Sequence, residues 1–411
     1  MYANPSQLNF APRLGLAWNP GGSANTVIRA GFGIFYDTLG PSIYVGNRAM
    51  SPSQYQSVTT FAPPFPGLAA VVGNLKTPPT LDMVDYDVQQ PYTIQYQLKV
   101  EHQLGQNTAI DAGFAGNRGV HLAGHVGDIN PSRPVALAGG QIGYVPGSPD
   151  INPAFGQIGM LRTQFNLFYD ALVLGLRHRW SNGLRVESHY TFGKTIDETS
   201  DVLFQDFLNS DKVPNPFNYR ANRGLADYNI THAFALNATY ALPWHDATGW
   251  NRLRADWEVS LLTQAQSGRP FSPDVGFDRA GLGGLDDLGQ RPNLVLTPGA
   301  PLIQGAPSQY FNPLAFSLPA AGTYGNLGRN VLIGPGLFTM DAAIQKRLIQ
   351  EHKQMLVLRL EGFNITNRPN FQNPSSLALF TSSGSRIGSA GQITTTTTTS
   401  RQLQLALRYE F

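Results

Sequence analysis

Glu187 and Glu361 are the carboxylates a glycosidase could use, since that chemistry needs one group to protonate the leaving oxygen and another to attack or activate water. Each sits in an alternating stretch, "GLRVESHYTFG" and "MLVLRLEGFN", where the spacing favours mixed charge along a strand face over an acid/base pair. "SHYTFGKT" ends like a phosphate-binding loop, but it has Ser188 where the first glycine is required and it ends a strand instead of opening a helix. "GLGGLDDLG" lacks the third glycine of a dinucleotide fingerprint. Neither H-E-x-x-H nor G-x-S-x-G occurs. His121 and His125 are four apart, a spacing that converges two metal ligands only on a helix, and here a strand runs into a loop. Asp82, Asp85 and Asp87 form one acidic trio and Asp278, Asp286 and Asp287 another. Neither has EF-hand spacing, so solvated loops are expected, with Ca²⁺ as the alternative. No catalytic residue, cofactor or metal site is expected, and the chain does not read as an enzyme.

Composition narrows the class further. The 411 residues carry 29 basic and 27 acidic side chains, net +2 and scattered, which is not the footprint of a nucleic-acid partner. Only 14% of residues are charged, against roughly 25% in soluble domains, while 43 glycines, 30 prolines and 11% aromatics describe a turn-rich β protein. There is no cysteine, so disulfides and thiolate metal sites are excluded. No run of about 18 apolar residues is present, so no transmembrane helix is expected. The first residues, "MYANPSQLNF", lack the basic and apolar regions of a secretory signal.

The elements that must carry any site are strands. Period-2 alternation recurs in eleven stretches, from "RLGLAW" and "VIRAGFGIFY" to "RQLQLALRYEF". The clearest is "PYTIQYQLKVEHQL", where Tyr92, Ile94, Tyr96, Leu98 and Val100 oppose Thr93, Gln95, Gln97, Lys99 and Glu101. Their connections alternate too. "NPGGSAN", "GQ", "SNG", "PWHDATGWNRLRA" and "IQEHK" are short; spans 38–91, 123–159, 196–229, 268–336 and 366–400 are long and expected to be unstructured. Short turns alternating with long loops is the connection rule of an antiparallel outer-membrane β-barrel, with turns periplasmic and loops extracellular. The run "ITTTTTTS", Ile393 to Ser400, is expected to be the rising edge of the last strand.

Tryptophan placement agrees. Trp18, Trp180, Trp244, Trp250 and Trp257 all lie in or beside the short connections, as an interfacial girdle requires. The opposite strand face carries Arg29, Gln95, Gln97, Lys99, Glu101, Asp111, Arg185, Glu187, His189, Asp256, Glu258, Asp341, Arg359 and Glu361, expected to line a wet lumen and contact a ligand or plug. Eleven is odd, whereas bacterial single-chain barrels have an even number of strands with both ends periplasmic. The chain therefore reads as all-β and as a partial barrel of about 11–12 strands, with at least one strand and a signal peptide upstream of Met1. A lone sheet of this kind would leave open edges in lipid and is expected to misassemble.

Seven stretches in order resemble one family: "RLGLAWNPGGSANTVIRAGFGIFYD", "PYTIQYQLKVEHQL", "GFAGNRGVHL", "HYTFGKTID", "ADYNITHAFALNATYALPW", "GNLGRNVLIGPGLFTMDAAIQKRL" and "LRLEGFNITNRPNF". The family is the TonB-dependent outer-membrane receptors of the Oar-like type, which have a carboxypeptidase-regulatory-like N-terminal domain. The resemblance implies a 22-stranded barrel of which residues 1–411 are the C-terminal half, without the plug, TonB box or regulatory-like domain. It implies import of a bulky ligand such as a peptide or glycan, with the TonB complex as partner through the missing plug. It also implies that Leu407, Tyr409 and Phe411 are a signal read by the barrel-assembly machinery. The alternatives are a passive porin or adhesin-type barrel, or a secreted soluble β-rich protein such as a glycan-binding module.

Overall fold

The computed structural model describes residues 8–22, 25–39, 78, 80–137, 142–145, 147–200, 213, 215–244, 254–282, 289–295, 299–351 and 354–411. Eleven strands form one antiparallel meander in chain order: β1 (Arg13–Trp18), β2 (Thr26–Tyr36), β3 (Tyr92–Leu104), β4 (Thr108–Val126), β5 (Ile158–Arg179) and β6 (Leu184–Asp197), then β7 (His232–Ala241), β8 (Trp257–Gln266), β9 (Leu337–Glu351), β10 (Gln354–Phe363) and β11 (Gln402–Glu410). Two short strands join off this path, Leu81–Val84 parallel to β5 and Gly224–Leu225 antiparallel to β6. Every alternating stretch of the sequence is thus a strand. The all-β antiparallel fold expected from the pattern is the one observed. No helix among the described residues is long and apolar enough to cross a membrane.

Register decides the faces. Leu98 opposes Phe114, which opposes Leu172, which opposes Phe192, so one apolar row runs across four strands. Phe114, Leu172, Phe192, Leu360, Leu403 and Leu405 are all exposed, at 42–71%, where a soluble protein would bury them. A continuous exposed apolar face is the lipid-facing wall of an outer-membrane barrel. Tyr96 lies across Gly116 so closely that any side chain there would collide with the ring, which explains the glycine.

Three expectations need correction. β4 and β5 run for 19 and 22 residues, well past the 9–11 that a tilted strand needs to cross a bilayer. His121 and His125 therefore both lie within β4, not where a strand gives way to a loop. Register shifts between Gly119 and Gly124 mark the bulged upper part, and His121 there takes a φ of 55°.

The spans 268–336 and 366–400 are not unstructured. They bury a shared apolar core of Phe271, Val275, Phe311, Phe316, Leu332 and Leu379. The hydrophobic residues of these spans have no period-2 spacing because they meet across loops and not along a strand.

The threonine run is loop, and β11 begins only at Gln402. Ile393 packs into the apolar core, and Thr396 bridges Phe371. Asn370 holds the segment by accepting from Phe338 N (2.8 Å) and donating to Thr398 Oγ1 (2.9 Å). Thr397 N donates to Asn370 O (2.7 Å) and Gln372 N to Thr395 O (3.2 Å), so the backbone of the run is paired within the loops and β propensity is overridden.

Candidate functional site

The face opposite the apolar wall carries a ladder of charge. Arg29 Nε is 3.5 Å from Glu101, Lys99 Nζ is 3.1 Å from Glu101 and 3.4 Å from Asp111, so four residues of β2, β3 and β4 form one chain. Gly175 lies opposite Asp111, whose carboxylate occupies the space a side chain would need. On β5 and β6, Arg177 and His189 both reach Glu187, at 3.0 and 3.2 Å. On β8 to β10, Gln345 donates to Glu258 (2.8 Å), Arg359 donates to Gln345 (2.9 Å) and to Glu361 (2.6 Å).

Gln95, Gln97 and Asp341 lie on the same face by register. Arg185 lies there too, across from Arg179. Asp341 accepts from Asn364 N (2.8 Å), which fixes the turn after β10 and is a structural task. Asp256 sits apart: it precedes β8 in the left-handed region, φ 59°, and accepts from Arg347 N. Arg177 and Gln345 were missed as site residues. The alternation of β5 is loose in sequence, and only register brings Arg177 to Glu187 across the hairpin.

Two hollows open along this face. One, about 560 Å³, is lined by Arg13, Phe35, Gln95, Gln97, Asn117 and Tyr169; Arg13 lies 4.5 Å from the Phe35 ring, and the Gln97 and Phe35 side chains lie over Gly31 and Gly33. The other, about 360 Å³, lies where β8 and β9 meet the loops, between Asp227, Gln266, Arg269, Phe371, Gln372 and Asn373. Both combine amides, a guanidinium and aromatic rings, a set that fits a ligand with polar groups and flat apolar surface.

Above the ladder sits a cap built on buried charge. Arg329, with no exposed side-chain surface, reaches Asp197 through Nη1, and its Nη2 lies 2.9 Å from Asp227 and donates to Ser200 Oγ (2.6 Å). Asn330 donates to Leu225 O (2.7 Å) and to Asp227, and Arg291 donates to Asn222 (2.8 Å). These contacts join the β6–β7 loop to the β8–β9 loop, and the apolar core joins the latter to the β10–β11 loop. Burial of Tyr228 and Tyr324 pushes both phenols well above their ordinary range, so they are neutral fixtures of this cap.

One carboxylate of each acidic trio is engaged within the fold. Asp85 pairs with Arg162 (3.2 Å), and Asp278 accepts from Gly281 N and Gln290 Nε2. Asp82 lies in the short strand Leu81–Val84, and Asp87 N donates to Asp85 (3.4 Å). Asp286 and Asp287 lie outside the described residues. Trp18, Trp180, Trp244 and Trp257 all sit at the short-turn end of the sheet; Trp250 lies outside the described residues. Lys346 Nζ rests 5.3 Å from the Trp257 ring and donates to Ala255 O, so its charge reaches the turn. Leu407 and Tyr409 lie on the apolar face across from Leu358 and Leu356, and Tyr409 stacks on Phe411 at 5.8 Å.

Comparisons with known proteins agree with this geometry. No curated protein matches the chain. Among solved structures, the outer membrane transporter YddB from Escherichia coli superposes with a TM-score of 0.51 at 10% identity, covering 98% of this chain and 40% of that one. The ferric enterobactin receptor from Pseudomonas aeruginosa gives 0.48 at 10% identity, with 98% and 40% covered. The FrpB iron transporter from Neisseria meningitidis gives 0.47 at 9% identity, with 98% and 39% covered. The likeness to YddB is one of fold, and this chain spans well under half the length of these transporters and receptors. A sequence profile for an outer membrane beta barrel domain matches residues 1–404. The chain therefore belongs to the outer membrane beta barrel domain family and is located in the bacterial cell outer membrane.

Proposed function

We propose that this sheet is the C-terminal half of the barrel of a TonB-dependent receptor of the Oar-like type, and that it forms one side of a conduit for a bulky ligand such as a peptide or glycan. The observation that carries this reading is the charge ladder: an ordered polar face backing an apolar wall serves a wet interior and not a packed core. The edges support it. β1 and β11 are both odd members of the meander, so they run in the same direction and cannot close on each other antiparallel. The residues Arg29, Gln95, Gln97, Lys99, Glu101, Asp111, Arg185, Glu187, His189, Glu258, Asp341, Arg359 and Glu361 would then contact ligand or plug, joined by Arg177 and Gln345. Asp256 is a turn residue and takes no part. Leu407, Tyr409 and Phe411 would present the last strand to the assembly machinery.

Site-specific crosslinking in cells tests the reading. The full gene product should crosslink to TonB, and proteoliposomes containing it should not swell in small sugars. Free swelling without TonB contact would make it a passive porin.

A further inference from the structure

Ten residues separate Trp180, at the short-turn interface, from Asp170 on β5. At about 3.3 Å per residue and a tilt near 40–45°, that is roughly 25 Å of height, the full apolar band. The row beginning at Asp170 therefore stands at the outer-leaflet headgroups. There the lipid-facing surface changes character. Asp170 opposes Lys194 on one side and Gly116 on the other, and one row higher Arg118 opposes Phe168. Arg118 and Arg223 bring their guanidinium carbons to 4.5 and 4.6 Å from the one Phe168 ring. Arg118, Lys194 and Arg223 are all exposed. The Asp170 carboxylate is held by the Tyr96 hydroxyl (2.9 Å), which leaves the patch with three cations to one anion.

We propose that Arg118, Lys194 and Arg223 form a docking site for the phosphorylated headgroup of an outer-leaflet glycolipid. Guanidinium groups suit phosphate because their planar donors match its oxygens. The Phe168 ring pre-orders two of them by stacking, which reduces the ordering lost on binding. Phe114, Leu172 and Phe192 lie directly below the patch and are exposed, so acyl chains continue from the headgroup down the apolar wall. A free phosphate would use the cations but not that wall. The proposal needs only the outer-membrane placement of the sheet and is independent of TonB coupling.

Native mass spectrometry of the protein extracted from outer membranes in mild detergent tests it. Bisphosphorylated lipid A should be retained over its phosphatase-treated form by at least about tenfold, and the triple variant R118Q/K194Q/R223Q should lose about fivefold per cation removed. Arg254→Gln, at the opposite end of the sheet, should leave retention unchanged. Equal retention of the two lipids overturns the proposal, as does full retention by the triple variant. So does displacement of the lipid by millimolar inorganic phosphate, or a wild-type dimer that the triple variant abolishes. If the triple variant does not fold, the comparison of the two lipids on the wild-type protein decides alone.

Discussion

The ladder and the cap use the same kinds of ion pair in opposite surroundings. Arg29 and Glu101 are 53% and 37% exposed; Arg329 and Asp197 are 0% and 1% exposed. In the ladder each charge keeps much of its water, so a pair contributes about 0–1 kcal/mol and its geometry can yield. In the cap the charges have lost their water, and each depends on its partners to stay buried. The wall therefore keeps its polar face adaptable, while the cap holds three loops as one body through polar and apolar burial together.

Truncating the apolar core of the cap should have the largest effect. Phe311 is fully buried, 5.8 Å from Phe271 and 5.9 Å from Phe316, so Phe311→Ala is expected to cost about 3–5 kcal/mol. Hydrogen exchange should accelerate across 268–336 and 366–400 while β3 to β6 stay protected. If those strands lose protection as well, cap and wall are one cooperative unit and the contrast drawn above fails.

Arg329→Met should come next or match it. It leaves Asp197 and Asp227 buried without their cation, a loss of about 3–5 kcal/mol. Limited proteolysis within 198–231 should become rapid. Arg329→Lys should rescue only in part, because one ammonium cannot reach Asp197, Asp227 and Ser200 with the geometry of the guanidinium fork.

Lys99→Met should be nearly silent for stability, under about 1 kcal/mol, because its ion pairs are exposed. Heat-dependent gel mobility would check it, and a marked drop in the transition would make the ladder structural.

The smallest effect concerns pH. Burial pushes the Asp128 carboxyl above its ordinary range, outweighing the N–H groups of Ile158 and Asn130 that favour its anion. A pKa higher in the folded than in the unfolded chain means the folded loop holds the proton more tightly. The contribution is full below the unfolded carboxylate value and is lost as pH rises through the raised folded value. Exchange protection of 127–137 and 147–157 should accordingly rise in mild acid. Asp128→Asn should flatten that slope.

Much of the wall was legible without coordinates. Strands from Leu14–Leu16–Trp18 to Leu403–Leu405–Leu407 announce themselves because alternation is local and period 2 belongs to the strand alone. The same alternation placed Arg29, Lys99, Glu101 and Asp111 on one face, and register then brought them within ion-pair distance. The cap was not legible. In sequence "GKTID", "ADYN" and "GRNV" carry a resemblance and announce no physical task, yet Asp197, Asp227 and Arg329 meet inside the cap. The threonine run misled because its propensity is for strand while its neighbours Asn370 and Phe371 hold it as loop.

The sequence by itself determined the class of this protein: alternating faces, eleven strands, short turns on one end with their tryptophans, and long loops on the other. These are properties of residues within a dozen positions of each other, where backbone geometry dictates the pattern. Only the tertiary structure decided how far β4 and β5 climb, which charges of the polar face pair, and that two loops share a core to which buried charge ties a third. Arg329 and Asp197 are 132 residues apart. No local preference encodes such a contact; it exists because burying either charge is tolerable only where the other is already waiting.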